Sequence, residues 1–117
     1  MDVSIVLINY RMAHLLTPCL KSIYSGGNRL SFEVILVNKP SEDGAEKLTE
    51  EFKDLRLIPF PKFGISIMRN EGIRAAKGRY ILILDADTEA HPQALDALLE
   101  FIESHPVVGE KKKKTVR

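Results

Sequence analysis

Two carboxylates two residues apart, in Asp85-Ala86-Asp87, stand directly after a continuous apolar run from Tyr80 to Leu84. At the end of a buried strand such a pair can face one divalent cation, and hard oxygen ligands suit Mg²⁺ or Mn²⁺. A cation held there can bridge the diphosphate of a nucleotide and neutralise charge as a leaving group departs. The bare triplet also admits a plainer role, in which Asp87 or Thr88 caps the next helix while Asp85 stays solvated. Which role applies depends on the elements that position the pair.

Those elements alternate along the chain. Val3 to Ile8 is apolar without alternation and rich in β-branched residues, the pattern of a strand buried on both faces of a parallel sheet. Leu15, Leu16, Cys19, Leu20 and Ile23 recur at helical spacing and stop at Ser25-Gly26-Gly27-Asn28. Phe32 to Val37 repeats the strand pattern, and a loop over Pro40 to Gly44 leads to a second helix carrying Ala45, Leu48, Phe52 and Leu55. Leu57 and Ile58 form a short strand ended by Pro59 and Pro61. A third helical stretch covers Gly64 to Lys77, with Ile65, Met68, Ile73 and Ala76 available to pack, and Gly78 stops it. After the Tyr80 to Leu84 strand, a fourth helix is predicted from about Pro92 to Ser104, with Pro92 at its first position and Leu95, Leu98, Leu99 and Ile102 as its buried stripe. The order β-α-β-α-β-α-β-α implies an α/β fold with a mainly parallel sheet, right-handed crossovers and helices on both faces. In such open sheets a ligand binds outside the carboxyl ends of the strands. The candidate site is therefore Asn9-Tyr10, Asn38-Lys39, the Pro59 to Gly64 segment and Asp85-Ala86-Asp87.

A chain of 117 residues fits one domain able to bury roughly two thirds of its unfolded surface. Its 44% hydrophobic and 28% charged content is that of an ordinary globular protein, which excludes disordered and collagen-like classes. No apolar stretch approaches the ~20 residues of a membrane span, and Met1 to Ile8 lacks the basic start of a leader. A cytoplasmic location is expected. Lys111 to Lys114 and Arg117 are five of seventeen basic residues, so the first 110 carry twelve basic against sixteen acidic groups, a net charge of −4. That balance gives no support to nucleic-acid binding by residues 1–109, read as the folded domain, and leaves 110–117 as a basic disordered tail suited to peripheral contact with an anionic membrane. The lone Cys19 is a small core residue, and His14, His91 and His105 show no metal-ligand spacing.

The string from Gly64 to Asp87 strongly resembles the family 2 glycosyltransferase segment in which Arg-Asn-x-Gly-Ile, Ala-x-Gly and a hydrophobic strand precede an Asp-X-Asp; here these are Arg69-Asn70-Glu71-Gly72-Ile73, Ala76-Lys77-Gly78, Tyr80 to Leu84 and Asp85-Ala86-Asp87. Val3 to Tyr10 resembles the family's first strand, Leu16 to Ser22 its Cys-Leu-x-Ser helix, and Glu33 to Val37 with Ser41-x-Asp43-Gly44 its second strand and loop. The resemblance implies a three-layer α/β/α Rossmann-like GT-A fold that transfers sugar from a nucleotide-diphosphate donor with a divalent metal. It also implies roles. Asn9 and Tyr10 would line the nucleotide pocket, partly through backbone groups, Arg69 would reach base or phosphate, Asp85 would contact ribose or sugar, and Asp85 with Asp87 would form the metal site. The plainer role for Arg69 is a surface salt bridge to Glu71 or its neighbours. Gly72 and Gly78 would serve turns and close packing.

The chain departs from that pattern at named positions. Family members carry an aspartate where Asn38 stands, which holds base or ribose; Asn38 keeps the geometry and loses the charge. Lys39 and Arg11 replace asparagines, Lys62 stands where asparagine is common, and Lys39 is an extra cation suited to the diphosphate. The general base of inverting transfer lies well downstream of the Asp-X-Asp in the family, so no catalytic residue is assigned here. The chain is expected to be the truncated nucleotide-sugar-binding half of such an enzyme. Its acceptor would be a saccharide or lipid-linked saccharide, and its exposed strand edge and apolar helix surface would favour self-association. The alternatives are a non-catalytic nucleotide-binding fragment, a chain completed by a partner, and a Rossmann-like interaction domain without sugar chemistry.

Overall fold

The computed structural model describes residues 1–104 and the backbone of 114–116. The elements run β1 (Val3–Asn9), α1 (Ala13–Tyr24), β2 (Phe32–Asn38), a 3-10 turn (Ala45–Lys47) continuing into α2 (Leu48–Glu51), β3 (Arg56–Pro59), α3 (Ile65–Ala75), β4 (Tyr80–Ile83), α4 (Ala94–Glu103) and β5 (Lys114–Val116). The strands form a parallel sheet in the order β3-β2-β1-β4-β5. Val3 pairs with Phe32 on one side and with Tyr80 on the other, so β1 is the central strand against which β2 and β4 are registered.

Side chains alternate across the sheet and separate the core into two layers. Ile5, Leu7, Val34, Leu36 and Leu82 face a cluster with Leu16, Cys19, Leu20 and Ile23 of α1, Leu48 of α2 and Leu95 of α4. Val6, Ile35, Val37, Ile81 and Ile83 face Met68 and Ala76, so α3 covers the opposite face. This is the expected α/β/α arrangement, with three helices on one side and one on the other. Ile65, expected to pack, is instead exposed at the start of α3.

The remaining differences have local causes. The second helix stops at Glu51, before Phe52 and Leu55, because Phe52 turns extended and its ring stacks on Tyr24 at 5.6 Å. Pro92 lies two residues before α4 rather than at its first position, since Gln93 takes a left-handed φ of 60° and donates its N–H to the Gly26 carbonyl. Asn28 Oδ1 then accepts the Leu95 and Asp96 N–H groups, and the Asp96 carboxylate accepts those of Arg29 and Leu30. Two loops thereby cap each other. In the segment read as a disordered tail, Lys114–Val116 pair with Tyr80–Leu82 as β5, which satisfies backbone groups on that side of β4. The rest of that segment lies outside the described residues, as does His105.

At the amino ends of the strands a buried carboxylate ties four elements together. Glu33, with its side chain 7% exposed, accepts hydrogen bonds from Ser4 Oγ at 2.6 Å, Arg56 Nη1 at 2.6 Å and the Lys77 N–H at 2.7 Å. Burial pushes the Glu33 pKa up, but these three donors outweigh burial and hold it below the usual carboxylate range. Ser4 Oγ in turn accepts the Gly78 N–H at 2.7 Å, where a side chain at 78 would collide with the Ser4 backbone.

Gly72 is the equivalent close approach in the middle of α3. A Cβ there would overlap Val6 Cγ1 and lie 3.3 Å from Val37 Cγ2. Alanine gains about 1 kcal/mol in helix propensity, but overpacking of a close contact costs more. We expect Gly72→Ala to destabilise the fold by a net of about 1–3 kcal/mol, read as a lower urea midpoint at unchanged slope. A neutral or stabilised variant would show that α3 is not seated on β1 in this way.

Candidate functional site

Asn9 and Asn38, the last residues of neighbouring strands, are fully buried. Asn9 Nδ2 donates to Asn38 Oδ1 at 2.8 Å and to Asp43 Oδ2 at 3.0 Å, while Asn9 Oδ1 accepts the Met12 N–H at 3.0 Å. Asn38 Nδ2 donates to Glu46 Oε1 at 3.3 Å. Both amides are thus committed to one another and to the loops. Their side chains brace the rim, and neither residue is among those that line the pocket beside it.

Asp43 is the hub of this bracing, and no role was read for it beyond its place in Ser41-x-Asp43-Gly44. It accepts Asn9 Nδ2, the Ala13 N–H at 3.3 Å and, through Oδ1, the Ala45 N–H at 3.2 Å. Burial pushes its pKa up, yet the Asn9 and backbone donors prevail and hold it below the usual range. The sequence signal was the aspartate before Gly44, whose left-handed φ of 79° lets the carboxylate fold back onto the next N–H.

Outside the braced amides a pocket of about 540 Å³ is lined by Tyr10, Arg11, Lys39, Pro40, Ser41, Glu42 and Asp43. Tyr10 is its aromatic wall. The Arg11 guanidinium stands 4.9 Å and Lys39 Nζ 5.8 Å from the centre of the Tyr10 ring, and Phe63 packs against Tyr10 at 5.1 Å. Lys39 Nζ also donates to the Pro40 carbonyl at 3.1 Å. Arg11 adopts a φ of 59°, a strained conformation for a side chain of this size, at the turn fixed by the Asn9 to Met12 bond. An aromatic face flanked by two cations suits a planar base and an attached anion.

Arg69 and Asp85 meet elsewhere on the same edge. β4 ends beside β1, with the Leu84 N–H donating to the Val6 carbonyl at 3.1 Å, and the chain turns through Asp85 to Thr88 with a 3.0 Å backbone bond. Ala86 is buried while Asp85 and Asp87 are exposed, so the turn presents both carboxylates outward. Arg69 Nη2 donates to Asp85 Oδ1 at 3.2 Å. Glu71, the partner considered from sequence, is instead taken by Arg74 at 2.8 Å. Arg69 Nε is buried and without a hydrogen-bond partner among the described residues. Among those residues no group of three His, Cys, Asp or Glu side chains is placed to hold a metal. Two exposed carboxylates could supply only part of the oxygen shell that a divalent ion takes.

Returning Asn38 to the aspartate of the family pattern puts a buried carboxylate against Glu46 Oε1. We expect Asn38→Asp to cost about 1–3 kcal/mol at neutral pH. Burial and like charge would raise the new group's pKa, so the loss is complete above that value and shrinks toward about pH 5. Thermal melts at the two pH values read it; equal stability throughout would contradict the bracing role.

Comparison with known proteins agrees with this geometry. The sequence pattern of the family described as Glycosyl transferase family 2 matches residues 4–111. Over 104 residues the chain is 29% identical to the chondroitin synthase of Escherichia coli, covering 85% of this chain and 15% of that protein. Over 112 residues it is 32% identical to the minor teichoic acid biosynthesis protein GgaB of Bacillus subtilis (strain 168), covering 89% of this chain and 12% of that protein. Among solved structures, S. aureus TarS 1–349 superposes with a TM-score of 0.79 at 23% identity, over 90% of this chain and 33% of that one, and the same TarS region is known in complex with UDP. The mannosyltransferase PcManGT from Pyrobaculum calidifontis, in complex with GDP-Man and Mn²⁺, gives a TM-score of 0.71 at 24% identity, over 84% of this chain and 30% of that one. At such identities the structures show a shared GT-A fold. The chain spans 12–33% of the length of these proteins. With the Arg69 to Asp87 string seated on that fold and the family pattern spanning nearly all of the sequence, the chain belongs to glycosyl transferase family 2.

Proposed function

We propose that the chain binds the nucleotide-diphosphate part of a sugar donor along the carboxyl edge of the sheet, as the donor-binding half of a glycosyl transfer. The observation that carries this reading is the Arg69 to Asp85 pair at 3.2 Å, beside Asp87 and on the same edge as the pocket walled by Tyr10. UDP in TarS and GDP-Man with Mn²⁺ in PcManGT are the ligand classes that support it by likeness. Tyr10 would stack with the base, and the guanidinium of Arg69, with donors to spare, would hold base or phosphate. Asp85 and Asp87 would hold a divalent cation, which neutralises the nucleoside diphosphate as it leaves.

In the transfer itself the bond between the anomeric carbon and the β-phosphate oxygen breaks, and an acceptor oxygen takes its place. The acceptor's proton passes to a general base, a role assigned to no residue here. The acceptor is proposed to be a saccharide or lipid-linked saccharide. Exposed Phe63, Ile65 and Ile67, close together in sequence at the start of α3, support the expectation of self-association. No helix among the described residues is long and apolar enough to cross a membrane. A second reading, nucleotide binding without transfer, is favoured by Asn38, whose amide is consumed in bracing where the family pattern has a carboxylate.

Calorimetry with UDP, GDP and dTDP, each with and without Mn²⁺, tests the reading. We expect one nucleotide to bind in a Mn²⁺-dependent manner and Asp87→Ala to weaken it by about tenfold or more. Absence of binding by all three, or full affinity in the variant, would favour an interaction domain without sugar chemistry.

A further inference from the structure

Arg69 stands where a bound cation would place its charge. Its side chain is 21% exposed against 73% for Asp85, so the guanidinium is the more fixed partner and the carboxylate the more adaptable one. It bonds through Nη2 alone and to Oδ1 alone, and its buried Nε has no partner among the described residues. A guanidinium whose fork is only partly used is poised for a second planar or phosphate acceptor. No third acidic or imidazole group among the described residues reinforces Asp85 and Asp87, so a divalent ion there meets a carboxylate already paired with a positive charge.

Resting on the reading that this edge holds a nucleoside diphosphate with a divalent cation, we infer that Arg69 is a place-holding cation, which competes with the metal for Asp85 and is released to the nucleotide when the metal arrives. The consequence is coupling between the two ligands. Metal alone must approach a guanidinium of like charge, and nucleotide alone finds the Nη2 arm of that guanidinium held by Asp85. Bound together, the metal takes the carboxylates and Arg69 is freed for base or phosphate. Each ligand then raises the affinity of the other by the same factor, as linkage requires. Being exposed, the Asp85 pair is also weakened by salt, so the competition is strongest at low ionic strength.

The test is Mn²⁺ binding followed by electron paramagnetic resonance, without nucleotide and then with UDP or GDP, on the chain and on Arg69→Met. We expect Arg69→Met to bind Mn²⁺ alone about two- to fivefold more tightly at low salt, the size of an exposed ion pair's contribution. The same variant should lose most of the mutual enhancement between Mn²⁺ and nucleotide. Arg74→Met removes one positive charge from the same helix, where Arg74 pairs with Glu71 and is 72% exposed, and should leave Mn²⁺ affinity unchanged. Arg69→Lys keeps the charge and should fall between the parent and the methionine variant. Unchanged or weaker Mn²⁺ binding in Arg69→Met, or an equal gain in Arg74→Met, overturns the competition while leaving nucleotide binding intact. Failure of the parent chain to bind either ligand overturns both this inference and the functional reading.

Discussion

The contact on which the site depends is the seating of α3 directly on the sheet at Gly72. With no side chain there, the helix backbone rests against Val6 and Val37, and Met68 on the same face is fully buried in the layer below. Arg69 follows Met68 by one position, which turns its side chain off the core face toward the edge where β4 ends. The distance of 3.2 Å to Asp85 therefore follows from packing at Gly72, one turn of α3 beyond Arg69. A bulkier residue at 72 would lift the helix and separate them. Val6 of β1 and Val37 of β2 supply the surface on which so close an approach is made.

Two buried polar networks hold the opposite ends of that sheet. At the amino ends Glu33 gathers Ser4, Arg56 and the Lys77 N–H, which fixes the turn from α3 into β4. At the carboxyl ends Asn9, Asn38 and Asp43 knit β1, β2 and the following loops into one rim. Buried polar groups are costly unless every donor and acceptor is used, and here the partners are largely backbone N–H groups or neutral amides. The rim is bound together by these bonds, while the charges that could meet a ligand, Arg11, Lys39, Asp85 and Asp87, stand outside it.

The fold was legible where burial leaves a strong imprint on composition. β1, β2 and β4 read as unbroken apolar runs because each is covered on both faces, and α1 read as a helix because Leu16, Cys19, Leu20 and Ile23 form its buried stripe. The start of α4 was misread because its caps come from Asn28 and Gly26, in a distant loop that no local pattern displays. The place of Asp85 and Asp87 at the carboxyl edge of the sheet was legible, but the pairing of Asp85 with Arg69 was not. A nearby Glu71 drew attention from sequence, although residues two apart on a helix point to different sides and Arg74, three residues on, is the one that reaches it. For Asn9 only the fold shows the side-chain amide spent on Asn38 and Asp43. For the same reason Asp43 passed as a loop residue.

The claim at the centre of this account is that the edge bearing Tyr10, Arg69, Asp85 and Asp87 is where a nucleotide and a divalent cation come together. Paramagnetic broadening by Mn²⁺ in the presence of a nucleoside diphosphate, followed amide by amide in the ¹⁵N spectrum, examines that claim directly. Selective loss of the signals of Asp85, Ala86, Asp87 and Thr88 is expected, with Tyr10 and the Arg69 guanidinium perturbed as well. Broadening centred instead on Asp96, Glu100 and Glu103 of α4, or spread evenly over the acidic surface, would contradict it.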